Sequence, residues 1–263
     1  AGIDACAGNG QPFYNYRRDA LIHASHELGI SSRVDVLYPS HSLTGHTLLC
    51  SFTITPELRN TEAFELLSRA RLLFIASHRD WFAQRIAVEI QGVQLTDGRV
   101  PFWDSLGRHF FDMDFETADQ YSGLLSKTFI AELMPPNPVY VTLLSEPAQV
   151  ALGQAHELTR PNLELLQREG FQAGNYLDIF DGGPVLEART DALHTLVTSQ
   201  AKTLHGTHTQ GSETCLISAG EGAQFRCTLA KAADTLEGTL KVPVGTWEVL
   251  GKTAGDEVRV APC

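Results

Sequence analysis

Between residues 48 and 91 the hydrophobic pattern changes period twice. Residues 48–55 (LLCSFTIT) form a short apolar, β-rich run that predicts a strand. Thr55-Pro56-Glu57 then supplies a hydroxyl, a proline and an acid, as at a helix start. Across 61–78 the apolar residues Ala63, Leu66, Leu67, Ala70, Leu73 and Phe74 recur at helical spacing. This segment is expected to lay that stripe on the core, with Glu62, Glu65, Arg69 and Arg71 outward. Residues 85–91 alternate, Ile86, Val88 and Ile90 on one face and Ala87, Glu89 and Gln91 on the other, which marks a second strand. Strand, helix, strand in this order predicts a parallel pair joined by a crossover.

Pro101-Phe102-Trp103 opens a short helix that Gly107 can end, before Phe110-Phe111. Over 159–171 the device recurs: Thr159 as cap, Pro161 in the first turns, Leu163 and Leu166 on one stripe, then Gly170-Phe171 and a strand. A helix–Gly–Phe–strand unit is thus expected twice, which suggests a duplicated architecture. From about Thr198 the chain turns to Gly, Thr and Ser with short alternating runs at 214–218, 224–229, 239–244 and 257–261, a pattern that predicts a small β-barrel or sandwich. The fold class is therefore α+β, with a region 1–198 and a small β-rich domain 199–263.

The 263 residues are 43% hydrophobic, enough for a sizeable core, and 31 acidic against 20 basic side chains give a net charge of −11. That balance argues against nucleic acid or an anionic membrane as partner; it is compatible with a cationic substrate but implies one only weakly, since solubility alone accounts for it. Five cysteines are scattered without a CxxC pair, so a disulfide framework is not suggested and a cytoplasmic location is expected. Cys6 and Cys50 sit in apolar runs and read as buried. No apolar run approaches a membrane span, and AGIDACAG at the start lacks the charged region of a signal peptide. No metal site is expected: His23 and His26 are three apart, His205 and His208 fall in a loop, and nothing completes a ligand set.

Three stretches join a regular element to a Gly- or Pro-marked turn lined with carboxylates and aromatics: 101–112 (PFWDSLGRHFFD), 129–138 (FIAELMPPNP) and 175–184 (NYLDIFDGGP). Together they resemble the arginine N-succinyltransferase family, and the likeness runs through roughly residues 1–198. The resemblance implies a GNAT-like acyl-CoA N-acyltransferase fold. It implies transfer of the succinyl group of succinyl-CoA to the α-amine of arginine, or of ornithine, in arginine catabolism, with no resident cofactor. The family likeness also places the pantetheine along Leu49, Cys50, Ser51 and Phe52, and the pyrophosphate at the loop Arg59, Asn60 and Thr61. SRARLLFIASH (68–78) and DGGPVLEART (181–190) look closest to the alpha chain of heteromeric members, implying a homo- or hetero-oligomer with a related beta chain. The first residues resemble a strand inside the family's domain, so the chain reads as beginning mid-domain, its first strand and helices missing or supplied by another chain.

Two positions depart from the superfamily pattern. Its phosphate loop has an Arg followed by glycines, whereas Arg59-Asn60-Thr61-Glu62-Ala63-Phe64 has no glycine and adds a carboxylate, so this chain alone is expected to bind succinyl-CoA poorly. Its general-acid Tyr is replaced by Trp103, whose indole orients a group without supplying a proton.

Catalytic candidates are Glu89, on the polar face of its strand, Glu132, flanked by Ile130 and Met134, His109 and Asp178. Substrate-binding candidates are Asp181, Arg108 and Trp103, with the Arg108 fork suited to a succinyl carboxylate. Each has a plainer alternative: ion pairs for the glutamates, a solvated or core histidine, a surface arginine. Asp178 and Asp181 face opposite ways on a regular strand and share a ligand only if the chain bends at Asp181-Gly182-Gly183-Pro184; otherwise an Asp there caps its own hairpin. Other functional classes are a non-catalytic structural or regulatory alpha subunit and an amino-acid-binding module.

Overall fold

The computed structural model describes residues 1–124, 128–207, 213–234 and 238–263; His208 lies outside them. Three strands, β1 (Gly2–Asp4), β2 (Asn15–Ser25) and β3 (Ile30–Ser40), precede the pair β4 (Thr47–Cys50) and β5 (Arg85–Glu89), which α1 (Glu62–Ser77) connects. Short helices α2 (Pro101–Ser105), α3 (Gly107–Phe111), α4 (Phe115–Leu124) and α5 (Thr128–Leu133) follow, then β6 (Val139–Tyr140) and α6 (Glu146–Ala151). Next come α7 (Arg160–Glu169), β7 (Gln172–Leu177), β8 (Pro184–Arg189) and α8 (His194–Thr198). The tail holds β9 (Gln200–Thr207), β10 (Glu213–Ala219), β11 (Arg226–Asp234), β12 (Thr239–Val242), α9 (Val244–Leu250) and β13 (Glu257–Pro262).

Eight strands form one sheet in the order β1-β4-β5-β8-β7-β2-β3-β6. The expected parallel pair lies inside it, with Thr47 opposite Ile86, Leu48 opposite Ala87 and Leu49 opposite Val88. Ile86, Val88 and Ile90 share one buried face with Leu72 and Ile75 of α1 and Leu166 of α7, while Ala87 packs on the other with Leu48, Phe13 and Val185. The first strand is shorter than its pattern suggested. Ser51, at φ 51°, sits in the left-handed region, and the residues after it leave the sheet.

The face of α1 corrects the single-stripe expectation. Arg69 and Arg71, expected outward, are 3% and 5% exposed. Leu72 and Ile75 meet the sheet, whereas Leu73 and Leu66 pack on Leu216, Ala261 and Phe225 of the tail. A helix between two layers is covered on both flanks, so one apolar stripe does not describe its burial.

The tail closes into a five-stranded barrel, β10-β11-β12-β9-β13, around Leu204, Ile217, Leu240, Val242 and Val258. All four predicted strands are present; β9 and α9 were not foreseen. The helix–Gly–Phe–strand unit occurs at α7, Gly170, Phe171 and β7, but at its first expected position Gly107 starts α3, with its Cα against the Trp103 ring, where a Cβ would fall 2.2 Å from a ring carbon. Cys6 is exposed and Cys50 partly buried, correcting the expectation for both. Among the described residues no helix is long and apolar enough to cross a membrane.

Candidate active site

Where β4 stops, a cleft of about 590 Å³ opens between the departing chain and the end of β5. Residues 49–54 form one wall and 88–91 the other; Arg59, Asn60 and Phe64 close it at the start of α1, and 157–159 with Pro161 and Asn162 close it at α7. The turn at Ser51 is what separates the walls, since β4 and β5 remain paired only as far as Leu49 and Val88. The α7 side is fixed to β5 through backbone: the His156 N–H donates to the Gln91 carbonyl at 2.8 Å, and Gly92 bridges to Ala155. The His156 Nδ1 accepts the Leu158 N–H at 3.1 Å, shaping the loop that carries Glu157 into the cleft.

The two helix starts facing this space differ. The Thr61 hydroxyl accepts the Ala63 N–H at 3.3 Å and so caps α1, whereas Thr159 places no side-chain cap on α7. Asn162, in the first turn of α7, is 8% exposed, and its Oδ1 has no hydrogen-bond partner among the described residues. Arg71 lines the same cleft, and burial pushes its guanidinium down to about 10, which leaves it cationic at neutral pH.

Leu49, Cys50, Ser51, Phe52, Arg59, Asn60 and Glu89 come together in this cleft, while Thr61 lies behind it as a cap. Glu132 does not line it; the residue is exposed on α5, where the alternation that placed it between Ile130 and Met134 gives way to helical geometry. Arg108 and His109 are exposed on α3 and also lie outside its lining. Trp103 is fully buried, its Nε1 donating to the Met113 carbonyl at 3.1 Å, so it has no surface to offer a substrate and that expectation is corrected.

The bend at Asp181 exists, yet the two aspartates use it on backbone. Asp178 Oδ1 accepts the N–H groups of Phe180 and Asp181 at 2.7 and 2.9 Å. Asp181 is 8% exposed and accepts from Gly92 and Gly183, both at 2.7 Å. Burial, with Asp178 beside it, pushes the Asp181 carboxyl well above the usual range. Gly183 is obligatory here, because a Cβ would lie 2.2 Å from the Ile90 carbonyl oxygen. The pair therefore locks β8 against the strand that carries Glu89, and the plainer hairpin reading is the one the geometry supports. Among the described residues no cluster of His, Cys, Asp or Glu could hold a metal. Arg71, Glu157 and Asn162 were not singled out as site residues from sequence; Arg71 read there as one of four outward charges on the helix.

The family model described as arginine N-succinyltransferase beta subunit matches residues 1–195, and the model of that subunit's C-terminal domain matches 200–262. The chain belongs to the arginine N-succinyltransferase family. It is 40% identical to the arginine N-succinyltransferase subunit alpha of Pseudomonas aeruginosa and 42% identical to subunit beta, covering 99% of this chain in each case and 77% and 78% of the relatives. It is 39% identical to the arginine N-succinyltransferase of an Enterobacter species, over 98% of this chain and 75% of that protein. The solved arginine/ornithine succinyltransferase subunit AI from Pseudomonas aeruginosa matches 99% of this chain and 76% of its own with a TM-score of 0.89 and 36% identity.

Proposed function

We propose that this chain transfers the succinyl group of succinyl-CoA to the α-amine of arginine, and that the β4–β5 cleft is where it does so. The observation that carries this reading is the parting of two parallel strands at Ser51 with a carboxylate, Glu89, on the inner wall. Exposed backbone of residues 50–54 lies open to pantetheine amides, and the Asn162 Oδ1 is an acceptor in need of one such N–H. The chemistry is direct: the neutral amine attacks the thioester carbonyl, the C–N bond forms, the C–S bond breaks, and the amine's proton passes to Glu89 and on to the departing thiolate. Succinyl-CoA enters as a substrate and leaves as CoA. The test is to mix purified chain, arginine and succinyl-CoA, follow thiol release, and identify the product by mass; a parallel ornithine reaction separates the two acceptors. Thiol release without succinylarginine or succinylornithine would sink the reading.

A second reading keeps the same cleft but makes activity depend on another chain. It is favoured by the loop at 59–64, where the helix start is capped by Thr61 itself and carries Glu62, leaving less room and less positive potential for a pyrophosphate. Relatives in Pseudomonas aeruginosa carry both alpha and beta names, at nearly equal identity to this chain. Titrating succinyl-CoA into the chain alone and with a related partner separates the readings: micromolar binding by the chain alone removes the second.

A further inference from the structure

Arg71 stands on the third turn of α1 with its side chain in the cleft wall, and it is 5% exposed. Its Nε donates to the Ser68 carbonyl at 3.2 Å and its Nη2 to the Ser68 hydroxyl at 3.4 Å, both on its own helix. The guanidinium carbon lies 5.1 Å from the centre of the Phe52 ring, so one face is stacked against the opposite wall. Nη1 has no hydrogen-bond partner among the described residues. A buried cation with an open N–H and, among the described residues, no ion-pair partner is costly as a purely structural element, because removing one charge from water needs an opposite charge in return. Such a group is suited to an anion that arrives with a ligand.

We infer that Arg71 takes the free carboxylate of the succinyl group and thereby selects a dicarboxylic acyl donor. This rests on the succinyl-CoA reading above. The position favours the acyl end of the donor over its phosphates: Arg71 is about 12 Å along the α1 axis from Ala63, at the helix start where that reading puts the pyrophosphate. It faces Phe52, next to the Ser51 turn at which β4 and β5 part, and Cys50 lines the same cleft. A planar fork with one edge free matches a carboxylate, whereas an acetyl group brings nothing for it to bind. Arg108, which the sequence put forward for this role, is exposed on α3 outside the cleft lining.

The test measures dissociation constants of succinyl-CoA, acetyl-CoA and CoA for the full chain and for Arg71→Met and Arg71→Lys, with thermal melts to establish that each variant is folded. Arg71→Met is expected to weaken succinyl-CoA by about 100-fold, as for loss of charge-assisted hydrogen bonds, and to change acetyl-CoA and CoA by less than about threefold. Arg71→Lys is expected to fall between, since it keeps the charge and loses the fork. Equal weakening of all three ligands means that Arg71 holds a phosphate or merely the wall, and overturns the inference; so does an unchanged preference for succinyl-CoA. If the wild type alone binds none of the three, the same titrations are made with the related partner chain present; succinyl-CoA still unbound there removes the cleft as the donor site, and the inference with it.

Discussion

Glu89 and Glu132 are the same side chain in different situations, and the difference is positional. Glu89 ends a central strand at the parting of two walls, while Glu132 projects from a short helix into solvent. Replacing Glu89 with Gln is expected to lower kcat by about 100-fold or more with little change in KM, as for loss of a general base. Glu132→Gln should leave turnover within about twofold; steady-state kinetics on both variants decides, and the opposite ranking would remove Glu89 as the base. Asp181 gives a second residue-scale expectation. Its folded carboxyl holds a proton more tightly than the unfolded one, so the folded state loses stability through this group as pH rises from the ordinary carboxylate range toward the raised value. Asp181→Asn loses an acceptor for one of two backbone N–H groups and should destabilise the chain by about 1–3 kcal/mol. Because the amide does not titrate, the gap between wild type and variant should narrow from pH 4 to neutrality. Urea unfolding across that range reads it; a gap that widens would contradict the sign.

At the scale of elements, α1 decides most, because it touches the sheet, the cleft and the barrel. Its polar node is Arg69, which is buried with Glu169 of α7 at 2.8 Å and donates to Thr195 of α8 at 3.0 Å and to the Pro262 carbonyl of β13 at 2.7 Å. Glu169 in turn accepts both the N–H and the hydroxyl of Thr195 at 2.8 Å. Four elements therefore share one hydrogen-bonded ion pair. Arg69→Met strands the Glu169 charge and should cost about 3–5 kcal/mol, whereas the double change Arg69→Met with Glu169→Met should recover much of that loss. Chemical unfolding of the three variants provides the cycle, and a double variant no better than the single one would show that the cost lies in packing instead. The helix was legible from its spacing, but its two arginines were not: charge at a surface-like position reads as outward unless the layer that covers it is known.

For the whole molecule, the barrel is a buttress as well as an appendage. Leu73 is fully buried against Leu216 and Ala261, and the His78 ring, hydrogen bonded to the Phe74 carbonyl through Nδ1, accepts the Gly222 N–H at 3.3 Å. A fragment ending at residue 198 would expose Leu66 and Leu73 and leave Arg69 without the Pro262 carbonyl. It should melt well below the full chain, since each large apolar side chain returned to water costs about 1.5–3 kcal/mol. Scanning calorimetry of the two lengths checks this, and equal midpoints would show that the sheet region stands alone.

The chain's local chemistry determined the elements whose signal is short-ranged: the parallel pair and its crossover helix follow from period and order, the α7–Gly170–β7 unit from a proline, a stripe and a glycine, and four barrel strands from alternation between turns. The Asp181-Gly182-Gly183 turn was legible for the same reason, since Asp178 and Asp181 bond backbone N–H groups two or three residues on, whereas the Gly92 N–H on Asp181 comes from far along the chain. The tertiary structure alone decided which flank of α1 is covered, that β9 pairs in parallel with β12 to close the barrel, and that Gly107 starts a helix under Trp103. It also decided which carboxylate meets the cleft and that Arg71 is a buried cation with an open N–H. Burial and pairing are properties of what arrives from elsewhere in the chain, and a periodic pattern records only that a face is apolar, never which layer will lie on it.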